Sequence, residues 1–142
     1  RFLLKIKTDY PPFEDEIEIV NRYAEELKKV ILKPVLSKDS LTYLQHLTRQ
    51  VPVANDIKRY AVTIVTNTRN KKDIIEYGAS PRASIGLILA AKARALIEGR
   101  KFVSKEDINK MAYPILRHRI ILSFETERQN LHEDDVIKQL LK

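Results

Sequence analysis

Along most of the chain, apolar residues recur at steps of three and four, the spacing of helices with one buried face. Phe13, Ile17, Val20, Ala24 and Leu27 place a first helix at about 12–28, and Glu14, Asp15 and Glu16 in its opening turn suit a helix N-terminus. Residues 29–36, with Pro34 among them, read as a connection. Ser37 can cap a second helix carrying Leu41, Leu44, Thr48 and Val51 on one stripe, and Pro52 ends it. A third helix carries Ile57, Tyr60, Ala61, Ile64, Val65 and Thr68, and runs into a polar stretch at 67–73 that reads as a loop. From Pro81 to about Glu98 the pattern changes. Ile85, Leu87, Ile88, Leu89, Ala93, Leu96 and Ile97 surround most of the circumference, which predicts a buried central helix closed by Gly99. Ser104 and Asp107 have the spacing of a capping box ahead of a fifth helix, whose stripe is Ile108, Met111, Ala112, Ile115 and Leu116. Pro114 lies inside that stripe and should bend or interrupt the helix near Lys110. Val136, Ile137, Leu140 and Leu141 mark a last helix at 133–141.

One segment breaks the rule. Phe2, Leu4 and Ile6 alternate with Leu3, Lys5 and Lys7, the period of a strand. A lone strand has no partner, so it reads as one piece of a sheet lying upstream, and the chain reads as a fragment of a longer protein. The expected fold class is all-α: a helical bundle preceded by one short N-terminal β-strand. The expected boundary lies near Asp9–Pro12.

Composition narrows the function classes. The 142 residues suffice for one domain with a real core, at 44% apolar and 32% charged residues. There is no Cys, which excludes a disulfide framework and cysteine metal sites and fits a reducing compartment, so a cytoplasmic location is expected. No apolar run reaches the ~18 residues of a membrane span. Lys5 and Lys7 interrupt the N-terminal apolar run, which is no signal peptide. A net charge of +7 favours anionic partners, among which nucleic acid is an open alternative. A plain helical interaction module is another. No phosphate-binding P-loop, nucleophile elbow or zinc-protease motif occurs, and His46, His118 and His132 are far apart in sequence. No metal site is expected, and the chain alone is not expected to be an enzyme.

The residues that do suggest chemistry are Ser80, Pro81 and Arg82. Ser at the N-cap and Pro at the first helical position are a strong start signal. Arg82, next in line, opposes the positive end of the helix dipole. Either it reaches into solvent, or it serves an anion at the helix N-terminus, where its planar fork suits phosphate oxygens.

The stretches GASPRA (78–83), GRKFVSKEDI (99–108) and PILRHRI (114–120), with TNTR (66–69) before them, resemble the C-terminal lid domain of the MoxR family of AAA+ ATPases. RFLLKIKTDYP (1–11) resembles the end of that family's ATPase core and its last strand. The resemblance implies residues 1–11 as the end of a truncated core and 12–142 as the lid. It implies ATP with Mg2+ bound between core and lid in the full-length protein, in a homo-oligomeric ring, commonly a hexamer, that acts as a chaperone-like remodelling or maturation machine on protein clients. Arg82 takes the place of the sensor 2 arginine, which reaches the γ-phosphate. Ser80 and Pro81 would fix its direction, and Gly78 would permit the turn before the helix. Arg1 falls where relatives carry an arginine finger, with a strand-end salt bridge as the other reading. Arg117, His118 and Arg119 would line a subunit interface, contact acidic groups on the core, or form a solvated helix end. Magnesium-chelatase ATPase subunits share this architecture and are a neighbouring possibility.

Overall fold

The computed structural model describes residues 2–24 and 31–141. Seven helices and a two-stranded ribbon follow in the order α1 (Phe13–Tyr23), α2 (Lys38–Gln50), α3 (Asn55–Asn70), β1 (Ile75–Tyr77), α4 (Pro81–Ile97), α5 (Lys105–Leu116), β2 (Ile121–Leu122), α6 (Phe124–Arg128) and α7 (Glu133–Leu140). The all-α expectation holds. Most helices begin where their caps predict. The Ser37 hydroxyl accepts the amide of Ser40 at 3.1 Å, and Ser104 and Asp107 form the full capping box at the head of α5. Helix α1 ends at Tyr23 with no buried residue. The expected continuation of that helix to 28 lies outside the described residues.

Helix α4 is central, packing on α2, α3 and α5. Its buried face consists of small residues, Ala83, Gly86, Ala90, Ala91 and Ala95, with Leu87 the one large exception. Short side chains let α5 approach closely and insert Ile108, Ile115 and Leu116, all fully buried. Ala61, Ile64 and Val65 of α3 and Val136 and Ile137 of α7 complete the core. The expectation of burial all round α4 is corrected: Ile85 is 61% and Ile97 84% exposed. The apolar girdle is wider than the face that neighbours cover.

Three further differences have physical causes. The polar stretch at 67–73 is not all loop, because α3 continues to Asn70. Pro114 does not interrupt α5, which runs on to Leu116, so the proline falls in the last turn, where little helix remains to disrupt. Residues 2–7 form no strand. The Lys5 amide donates instead to the carbonyl of Pro114 at 2.8 Å, one of the oxygens that a helix C-terminus leaves without an intrahelical partner. The ribbon in this fold is instead β1 with β2, antiparallel, pairing Ile75 with Leu122 and Tyr77 with Ile121. Among the described residues, no helix is long and apolar enough to cross a membrane.

Candidate functional site

The site is built where the end of α3 meets the start of α4. Thr68 lies on the buried stripe of α3 and is completely buried. A buried hydroxyl needs partners. It donates to the carbonyl of Val65 at 2.6 Å and accepts the amide of Ala79 at 2.9 Å. The next residue, Arg69, donates from Nε to the carbonyl of Ala79 at 2.6 Å. Both polar groups of one backbone unit are thus held by adjacent side chains of α3. Gly78 completes the junction, because a Cβ there would lie 2.6 Å from the Thr68 carbonyl oxygen and 2.7 Å from Cγ of Arg69. Its backbone is not among those with positive φ. Glycine is needed for close approach rather than for a special turn, which corrects the sequence expectation.

From this anchor the chain enters α4. Ser80 takes extended N-cap dihedrals and Pro81 opens the helix, as expected, but the Ser80 side chain makes no cap hydrogen bond. Helix α4 carries no acidic residue in its first turn. Arg82 is exposed, and among the described residues it makes no ion pair or side-chain hydrogen bond. A helix N-terminus with a free guanidinium and no local carboxylate is suited to a phosphate group. Gly78, Ser80, Pro81 and Arg82 are therefore brought together. Arg1 lies outside the described residues. Thr68 and Arg69 are what the sequence reading missed. Their signal was a hydroxyl residue on an otherwise apolar helical stripe.

Several of the remaining basic residues are committed inside the fold. Arg117 forks onto Asp134 of α7, Nε to Oδ1 at 2.8 Å and Nη2 to Oδ2 at 2.9 Å, and also donates to the carbonyl of Lys5 at 3.1 Å. Arg119 Nη2 donates to the carbonyl of Phe2 at 2.6 Å, and His118 Nε2 lies 3.1 Å from the same oxygen. The Arg117–His118–Arg119 cluster is thus not a solvated helix end. It clasps the chain's own N-terminal segment. Arg100 forks onto the buried Asp107, which Arg94 Nε also approaches at 3.3 Å. Arg69, Arg94, Arg100, Arg117 and Arg119 are thus occupied internally, and the nucleic-acid alternative is not favoured.

Comparison with known proteins agrees with this architecture. The AAA lid domain family matches residues 67–140. The chain is 32% identical over 141 residues to the uncharacterized protein YeaC of Bacillus subtilis, covering 99% of this chain and 44% of that protein. It is 33% identical over 150 residues to the chaperone MoxR1 of Mycobacterium tuberculosis, covering 100% of this chain and 39% of that one. A crystal structure of a candidate ATPase from Cytophaga hutchinsonii superposes with a TM-score of 0.88 at 31% identity, over 99% of this chain and 45% of that one. The chain spans less than half the length of these relatives. The fold, the matched family and the shared sequence converge: this chain belongs to the AAA lid domain family, in its MoxR branch.

Proposed function

We propose that the chain is the nucleotide-sensing lid of a MoxR-type AAA+ ATPase and that Arg82 is its sensor 2 residue. The observation that carries this reading is an exposed guanidinium without an internal partner, on a helix start fixed from a neighbouring helix. Arg69, Arg94, Arg100, Arg117 and Arg119, by contrast, are each used inside the fold. In this reading Arg82 donates to the terminal phosphate of ATP and stabilises charge developing during phosphoryl transfer. Gly78, Ser80 and Pro81 set its approach. ATP and Mg2+ are held chiefly by a core domain of the longer protein, of which residues 1–11 are the end, and the lid is 12–142. The working assembly is a homo-oligomeric ring, a hexamer, that remodels or matures protein clients as a chaperone-like machine.

The test is Arg82→Ala in the longer protein. ATP turnover should fall by about a hundredfold or more, in the range seen when a preorganised transition-state donor is removed. Stability should stay within about 0.5 kcal/mol of wild type, because the side chain is exposed. Turnover equal to wild type would overturn the sensor assignment.

A further inference from the structure

We propose that Thr68 is a positioning residue for Arg82: its hydroxyl, aided by Arg69, locks Ala79 and thereby sets where the N-terminus of α4 and the Arg82 side chain point. The inference rests on the sensor reading of Arg82 and extends it to a residue on another helix.

A threonine inside a helix commonly returns its proton to its own backbone, as Thr48 does to Leu44 at 2.8 Å and Thr42 to Lys38 at 3.0 Å. Thr68 does this too, toward Val65, but it also accepts an amide from eleven residues further on. With its single proton spent on Val65, the oxygen is left with lone pairs, and the Ala79 amide takes one. The Arg69 guanidinium holds the carbonyl of the same residue with a charge-assisted bond. Ala79 is 1% exposed, so water cannot replace either bond. Gly78 sits against the α3 backbone with no room to shift inward.

Only Ser80 and Pro81 separate Ala79 from Arg82, and the proline ring fixes φ at one of them. The usual device for fixing a helix start, a side-chain cap from Ser80, is not made. Direction comes from α3 instead. An error of about 1 Å in a group that must meet a transferring phosphoryl is costly in rate. A hydroxyl that removes such an error acts on kcat through Arg82 without touching the nucleotide.

The experiment measures ATP turnover in the longer protein for Thr68→Val, Thr68→Ser and Arg82→Ala, and for Thr68→Val combined with Arg82→Ala. Thr68→Val keeps the shape and deletes the hydroxyl. It should lower kcat about tenfold. Thr68→Ser keeps the hydroxyl and should restore most of that loss. Once Arg82 is alanine, Thr68→Val should cost nothing further in kcat, although its effect on melting temperature persists in both backgrounds. Hydrogen exchange at the Ala79 amide should speed up in Thr68→Val and not in Thr68→Ser. Should Thr68→Val fail to fold, Arg69→Met, at an exposed position, removes the companion bond and should show the same dependence on Arg82 with a smaller loss. Equal losses of kcat with and without Arg82 would make Thr68 merely structural and overturn the inference while leaving the sensor reading intact. Unchanged kcat in Thr68→Val would do the same. Wild-type turnover in Arg82→Ala alone would overturn the sensor reading, and this inference with it.

Discussion

At Asp107 two large effects oppose each other. Full burial pushes the carboxyl pKa up, while the Arg100 fork and the Ser104 amide and hydroxyl pull it down. The hydrogen bonds win, and the group titrates at about 2, below the ordinary aspartate value of 3.8. A folded-state value below the unfolded one means stabilisation that is fully present above about pH 4 and is lost as pH falls toward 2. The gap corresponds to about 2 kcal/mol. Urea unfolding of wild type at pH 6 and at pH 2.5 should therefore show a larger drop than the Asp107→Asn variant, which should start lower and change less. Equal drops would mean that the carboxylate contributes nothing specific. Half of this arrangement was legible in the sequence, since the Ser104–Asp107 spacing announces the capping box. The other half was not: Gly99, at φ +70°, turns the chain so that Arg100 reaches back over the box, and a reversal of that kind has no periodic signature.

Among the elements, legibility followed length. Helices of eight or more residues show two or more turns of stripe, and α2, α4, α5 and α7 begin within a residue of where their caps and spacing place them. The strands of three and two residues have no measurable period, and their pairing joins segments more than forty residues apart, which no local rule reads. The five-residue α6 was missed for the same reason of length. In α4 the sequence shows which residues are apolar but not which face neighbours will cover, because a girdle of alanines and isoleucines permits several faces. The structure chooses the small one. Ala91 is fully buried there, on the helix that packs against α5, in a close-packed core. Ala91→Leu should cost about 1–3 kcal/mol through overpacking. Ile97→Ser, on the open side at 84% exposure, should stay within about 0.5 kcal/mol. Chemical denaturation of both variants checks the contrast, and similar costs would mean that the buried face of α4 is wrongly identified.

At the scale of the whole molecule, the N-terminal segment is tied to the bundle by hydrogen bonds. The segment reads as a strand, yet what holds it is not a ladder but the end of α5 and the three residues that follow. Arg119 reaches the carbonyls of Phe2 and Leu3, Arg117 that of Lys5, and the Pro114 carbonyl takes the Lys5 amide. Gly86 opens the space beneath, since a Cβ on it would stand 3.1 Å from Cδ1 of Leu3 and 3.4 Å from Nη1 of Arg119. Residues 2–5 are thereby tied to the end of α5 and lie against α4, the helix that carries Arg82. Arg119 is the strongest tie, because its guanidinium makes a charge-assisted bond to a carbonyl that otherwise has only His118 beside it. Removing one such bond costs about 1.5 kcal/mol or more. Arg119→Ala should therefore raise the hydrogen-exchange rate of the Lys5 amide about tenfold, because local opening of the segment exposes it. Exchange at the amides of Ile108 and Ala112 inside α5 should stay as in wild type, because those residues belong to the fully buried core and open only with the whole bundle. Faster exchange throughout α5 would show instead that Arg119 supports the bundle itself, and unchanged exchange at Lys5 would show that Arg117 and the Pro114 carbonyl suffice to hold the segment.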